Sequence, residues 1–204
     1  MPDFYAHETN HEGEVVNVPR ALLDRECNEG DFVVCRVNAP LVSAAFRFIT
    51  GGKKATIIGA EIGQGLIKLI DQLKAEDAGD LMEKVDDWYQ LEAQKLARMK
   101  FGGEEKQMVL ADKRDCVLAF CEGCGTVDEV KQAIDRMFSD KDRGGIRLSS
   151  VHKAKGLEAD NVFVLHPEKM PHPMAKSKAA KEQEENLKYV AMTRAKHKLA
   201  WVIE

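Results

Sequence analysis

Between residues 31 and 58 the chain reads strand, helix, strand, and this one unit constrains the fold more than anything else in it. Asp31-Phe-Val-Val-Cys-Arg36 is a short apolar run of the kind that forms a buried strand. Asn38 and Pro40 then open a helix in which Leu41, Ala44, Ala45, Phe48 and Ile49 recur at helical spacing. Gly51-Gly52 closes it, and Lys53-Lys-Ala-Thr-Ile-Ile58 reads as the next strand. Two strands joined through a helix in so short a span are the mark of a parallel α/β unit. Hydrophobic residues make up 44% of the 204, enough to bury a core around such a sheet.

The same pattern returns near the end. Ile146-Arg-Leu-Ser-Ser-Val151 and Asn161-Val-Phe-Val-Leu165 read as strands, the prolines of 167–173 as a loop, 177–195 as a helix, and Lys198-Leu-Ala-Trp-Val-Ile203 as a last strand. The middle differs. Leu66, Leu69, Ile70 and Leu73 form one helical stripe, and Leu81, Val85, Trp88 and Leu91 another. Phe101-Gly-Gly breaks the chain, and Thr126-Val-Asp-Glu129 is a capping box before Val130, Ile134, Met137 and Phe138. Residues 62–140 are thus expected to be mostly helical, inside a single domain spanning 1–204. Gly59-Ala-Glu-Ile-Gly-Gln-Gly65 reads as the turn leaving the second strand, and residues 1–29 carry no motif.

Composition excludes several classes. A net charge of -4 rules out a polycation that coats nucleic acid, so any such contact must be local. The lysines of 176–198, with Arg194, form one candidate patch, although runs of this kind are more often a solvated helix face. The start, Met1-Pro-Asp-Phe-Tyr-Ala-His-Glu8, lacks the basic and apolar stretches of a secretory leader, and no apolar run reaches membrane-spanning length. The five cysteines read as reduced thiols. Cys121 and Cys124 have zinc-knuckle spacing but lack the second pair that a structural zinc needs, so no metal site is expected.

Two runs carry the functional information: Ser149-Ser-Val-His-Lys-Ala-Lys-Gly-Leu-Glu158 and Glu184-Glu-Asn-Leu-Lys-Tyr-Val-Ala-Met-Thr-Arg-Ala195. In this order, separated by a strand and a loop, they resemble motifs V and VI of UvrD/Rep-type superfamily 1 DNA helicases. Upstream, Val33-Val-Cys-Arg-Val-Asn-Ala39 is similar to motif IV. The resemblance covers most of residues 30–203 and implies the second RecA-like domain of such a motor, domain 2A: an α/β, mainly parallel sheet with helices on both faces and a helical insert.

The resemblance also implies roles. Hydrolysis of ATP spreads negative charge over the γ-phosphate, which a guanidinium stabilises by bidentate contact. Arg36 and Arg194 match the two family arginines that reach this phosphate, and are expected to converge on one exposed sheet edge. Glu158 and Gly156 match the nucleotide side of motif V. Ser150 and His152 match contacts to the DNA strand, where a hydroxyl and backbone amides suit phosphate oxygens without reading sequence. Where the family often has an aromatic residue for stacking on adenine, this chain has Cys35. The 109 residues between motifs IV and V are largely helical sequence, resembling the more compact or phage-type members.

No G-x-x-x-x-G-K-[ST] loop is present, nor an apolar strand ending in Asp-Glu, which argues against a complete ATPase in these residues. The expectation is therefore the C-terminal half of an ATP-dependent DNA helicase. Its partners would be an N-terminal RecA-like ATPase domain, holding most of the ATP and Mg²⁺ contacts, and single-stranded DNA. The isolated chain would be inactive, and its location the cytoplasm of a bacterial or phage-infected cell. The alternative is a non-catalytic module that keeps the fold and binds DNA or a protein. Arg36 and Arg194 also admit a plain reading as salt-bridged surface arginines, and Ser150 and His152 as strand-end polar groups.

Overall fold

Six strands of the chain pair edge to edge in one sheet, in the order β1-β6-β5-β2-β4-β3, and every pairing is parallel. The strands are β1 (Glu14–Pro19), β2 (Phe32–Cys35), β3 (Ala55–Ile57), β4 (Ile146–Ser150), β5 (Ala159–Leu165) and β6 (Ala195–Ile203). Seven α-helices accompany them: α1 (Leu23–Glu26), α2 (Ala39–Thr50), α3 (Ala60–Leu73), α4 (Ala78–Ala97), α5 (Gly103–Cys121), α6 (Val127–Met137) and α7 (Lys178–Met192). The structure is a computed structural model that describes residues 12–98, 103–139 and 144–204, and these counts refer to them. The expected break at Phe101 and Gly102, and the segment Met1–Glu8, lie outside the described residues.

β2 occupies the centre because it can. All four of its residues are buried, and they alternate between two cores. Val33 and Cys35 face a large core built with α2, α3, α5 and α6, whereas Phe32 and Val34 face a smaller one closed by α7 and the turn 151–156. Helices thus cover both faces, as expected for a RecA-like α/β fold. No described helix is long and apolar enough to cross a membrane.

Local signals explain most boundaries. Pro40 sits in the first turn of α2, where its missing N–H is no loss, and Gly51 caps the far end. Thr126 accepts the Glu129 N–H through its hydroxyl while the Glu129 carboxylate accepts the Thr126 N–H, completing the capping box of α6.

Two expectations are corrected, and one strand is added. The glycine-rich stretch 59–65 is not all turn: Gly59 takes φ +130°, but α3 begins at Ala60. Gly63 lies inside that helix because a Cβ there would stand 2.8 Å from the Cβ of Phe138, so the glycine permits close packing of α3 on the end of α6. The helix expected over 177–195 runs from Lys178 to Met192 with Thr193 as its cap, the Thr193 N–H donating to the Tyr189 carbonyl and the Arg194 N–H turning back to that of Ala191 before β6 begins at Ala195. Residues 14–19, read as motif-free, form edge strand β1, pointing Val16 and Val18 inward and leaving Val15 65% exposed.

Candidate functional site

In a parallel sheet, residues that follow strands gather on one edge and residues that precede strands gather on the other. Arg36 follows β2 and Ser150 ends β4, in register with Cys35, so both stand on the C-terminal edge. Arg194 precedes β6 and Glu158 precedes β5, which puts both on the N-terminal edge. β5 covers seven residues, so the two edges are on the order of 20 Å apart.

On the C-terminal edge Arg36 is not free. Its Nε donates to both carboxylate oxygens of Glu184 at 3.0 and 2.8 Å, and Nη2 donates to Oε1 at 2.6 Å. The two side chains are only 11% and 5% exposed. Burial alone pushes the Glu184 carboxyl up, but the Arg36 guanidinium and the His172 backbone N–H, at 3.0 Å, bring it below its ordinary value. Next to this pair, the Asp112 carboxylate accepts the N–H groups of Asn38 and Ala39 and the side-chain amide of Asn38. The start of α2 is therefore already occupied by an internal anion. Burial nevertheless holds Asp112 above its usual range, those bonds offsetting only part of the shift.

His152 borders two hollows, of about 420 and 410 Å³. The first is lined by α7, the start of α5 and Val151; the second by α3, α5 and Ser150. Burial lowers the basicity of the His152 imidazole and the charge of Arg36 lowers it further, which favours the neutral ring. Ser150 is itself buried, and its carbonyl accepts the N–H groups of Lys153 and Ala154 to start the helical turn toward Gly156. The rim is mixed in charge: Glu104, Glu105 and Lys155 line the first hollow, and Lys153 pairs with Glu61 beside the second.

On the N-terminal edge Arg194 uses its fork locally. Nε donates to the Val190 carbonyl at 3.0 Å, Nη1 to the Leu157 carbonyl at 3.2 Å and Nη2 to the Thr193 hydroxyl at 2.9 Å. Its own carbonyl accepts the Ala159 N–H. Gly156 takes φ +85° with open space where a Cβ would point, and the Glu158 side chain is half exposed with Lys196 3.9 Å away. The runs 149–158 and 184–195 thus meet here: Gly156, Glu158 and Arg194 share one surface.

The expectation that Arg36 joins them does not hold. Arg36 and Arg194 lie on opposite edges, because one follows its strand and the other precedes its strand. Cys35 is wholly buried within β2, its thiol pushed up to about 11 by burial, and presents nothing to a ligand. The inward placement of Glu184 and Asp112 was not read from the sequence, yet each had a signal. Glu184 stands in helical phase with Leu187 and Ala191, and Asp112 with Met108 and Cys116, so each carboxylate interrupts an apolar stripe.

Residues 125–203 match the family model of the UvrD-like helicase C-terminal domain. No curated protein matches the chain. The matched segment runs from α6 to β6 and includes Ser150, His152, Gly156, Glu158 and Arg194, whereas Arg36 lies outside it.

Proposed function

We propose, from the premise that residues 125–203 form a UvrD-like helicase C-terminal domain, that this chain is the C-terminal motor half of an ATP-dependent DNA helicase. ATP is then bound between this domain and an N-terminal RecA-like domain, whose phosphate loop supplies most of the contacts to ATP and Mg²⁺. Arg194, Glu158 and Gly156 form this chain's side of that cleft. The observation that carries the assignment is their meeting on the N-terminal edge, tied by the bond from Arg194 Nη1 to the Leu157 carbonyl.

The residues suit a phosphate ligand. Gly156 has no side chain to hold the ligand off, so the backbone can approach closely. The Arg194 fork rests on two carbonyls and a hydroxyl, neutral acceptors that an anionic phosphate oxygen outcompetes. Because those acceptors already aim the guanidinium, little side-chain entropy is lost when it engages the transferring phosphoryl group. Glu158, exposed beside it, accepts hydrogen bonds from sugar hydroxyls. Arg36 has no phosphate contact in this scheme, being locked on Glu184 at the far edge. Ser150 and His152 form part of the single-stranded DNA track there.

The test is reconstitution with the N-terminal ATPase domain. This chain alone should hydrolyse no ATP, and the pair should. Arg194→Ala should lower the rate by about a thousandfold or more, the range measured for arginine fingers, with the far-ultraviolet circular dichroism unchanged. An unchanged rate would refute the assignment. If the pair never hydrolyses ATP yet binds DNA, the chain is a binding module.

A further inference from the structure

α7 touches the rest of the molecule in an unusual way. Its fully buried residues are Ala191, near the Arg194 end, and Glu184, at the middle. Ala191 presents a single methyl group, which fixes depth but tolerates sliding along the helix axis. Glu184 is held by a planar fork that admits one geometry. Leu187 and Val190 also pack against the smaller core, but apolar contacts tolerate sliding where the planar fork does not, so the axial register of α7 is fixed most sharply at Glu184. What sets it there is Arg36, whose Nη2 also meets Met108 Sδ of α5 at 3.6 Å, while Glu184 holds the His172 N–H. One ion pair thus joins the end of β2, α5, the loop at 172 and α7.

About two turns further on, the C-terminal end of α7 carries the Thr193–Arg194 turn. The bonds of Arg194 to Val190 and Leu157 require the last turn of the helix to stop at one level against the 151–157 segment. A shift of α7 by a fraction of an ångström at Glu184 travels along a rigid helix to this turn, since helices transmit axial displacement with little loss.

We propose that Arg36 is a positioning residue for Arg194, acting across the sheet through Glu184 and α7. This rests on reading Arg194 as the cleft guanidinium. It accounts for a buried ion pair that the proposed chemistry does not use, and it links the edge that holds Ser150 and His152 to the edge that holds Glu158 and Arg194.

The test uses Arg36→Lys in this chain, which keeps the positive charge but cannot form the two-armed contact. Amide hydrogen exchange is followed by NMR for Thr193, Arg194 and Ala159, together with the Arg194 Nε–H. Their protection should fall by about tenfold, more than that of Val33 and Val164 at the sheet centre, because the change is a local opening. If protection is lost only around Glu184 and His172, with Thr193, Arg194 and Ala159 unchanged relative to the sheet, the proposal is wrong. With the N-terminal ATPase domain added, Arg36→Lys should lower kcat and leave the KM for ATP within about twofold, as expected when only transition-state contact suffers. Should the exchange result hold while Arg194→Ala leaves hydrolysis intact, the link through α7 stands and the cleft assignment falls.

Discussion

Glu184 and Asp112 are neighbouring carboxylates on one sheet edge, and the molecule treats them oppositely. Glu184 is paired with a guanidinium and held below its ordinary range, so it contributes stability that is complete above that range and is lost as pH falls through it. Asp112 has only neutral donors and is held above its range, so the native state takes up its proton more readily and this group favours folding more as pH falls. Glu184→Gln leaves a buried guanidinium without its counter-ion. Urea unfolding at neutral pH should show a loss of about 3–5 kcal/mol, with the acid-side slope of stability flattened. Asp112→Asn retains an acceptor for the start of α2 and removes the charge. Its loss should be about 1 kcal/mol or less at neutral pH, and the variant's stability should no longer gain from Asp112 protonation in acid. A carboxylate loss of equal size at both positions would contradict these environments. Neither environment was legible from residue type, since a charge among helix lysines and glutamates reads as solvated. Only its phase with Leu187 and Ala191 marks Glu184 as inward, and its partner Arg36 lies too far off in sequence to be paired by pattern.

At the scale of elements, strands buried on both faces were the easiest to read, because β2, β4 and β5 appear as apolar runs bounded by glycine, proline or asparagine. β1 was not, since an edge strand with one face in solvent carries only Val16 and Val18 as inward signal, and Val15 just before them blurs the alternation. α3 was legible from Leu66 onward but not at its start, where two glycines look like turn chemistry. Their roles separate by packing. At Gly63 a Cβ would press on Phe138 at 2.8 Å, so Gly63→Ala should destabilise by about 1–3 kcal/mol despite the better helix propensity of alanine. At Gly65 nothing lies within 4 Å, so Gly65→Ala should stabilise by about 0.5–1 kcal/mol. Thermal unfolding of the two variants side by side should move in opposite directions; two shifts of the same sign would mean that α3 does not pack on Phe138 in this way.

For the whole molecule, the parallel sheet separates residues proposed for two chemistries that lie close together in sequence. Ser150 and Glu158 are eight residues apart, yet the segment between them leaves the C-terminal end of β4 and arrives at the N-terminal end of β5, crossing the sheet. The order of the two runs was readable; that their residues divide between two edges was not, because direction along a strand is invisible in a motif. The division has a kinetic consequence. Substituting Ser150 and His152 does not touch the Arg36–Glu184 pair, so the bonds of Arg194 to Val190 and Leu157, on the edge proposed for the nucleotide and on the order of 20 Å away, stay intact. With the N-terminal ATPase domain present, Ser150→Ala combined with His152→Ala should thus leave DNA-free hydrolysis within about twofold of the parent, while removing most of the stimulation by single-stranded DNA. Glu158→Ala should do the reverse, raising the KM for ATP with and without DNA by a similar factor. If the double substitution lowers both rates equally, Ser150 and His152 serve the turn toward Gly156 and not the strand, and the two edges work as a single structural unit.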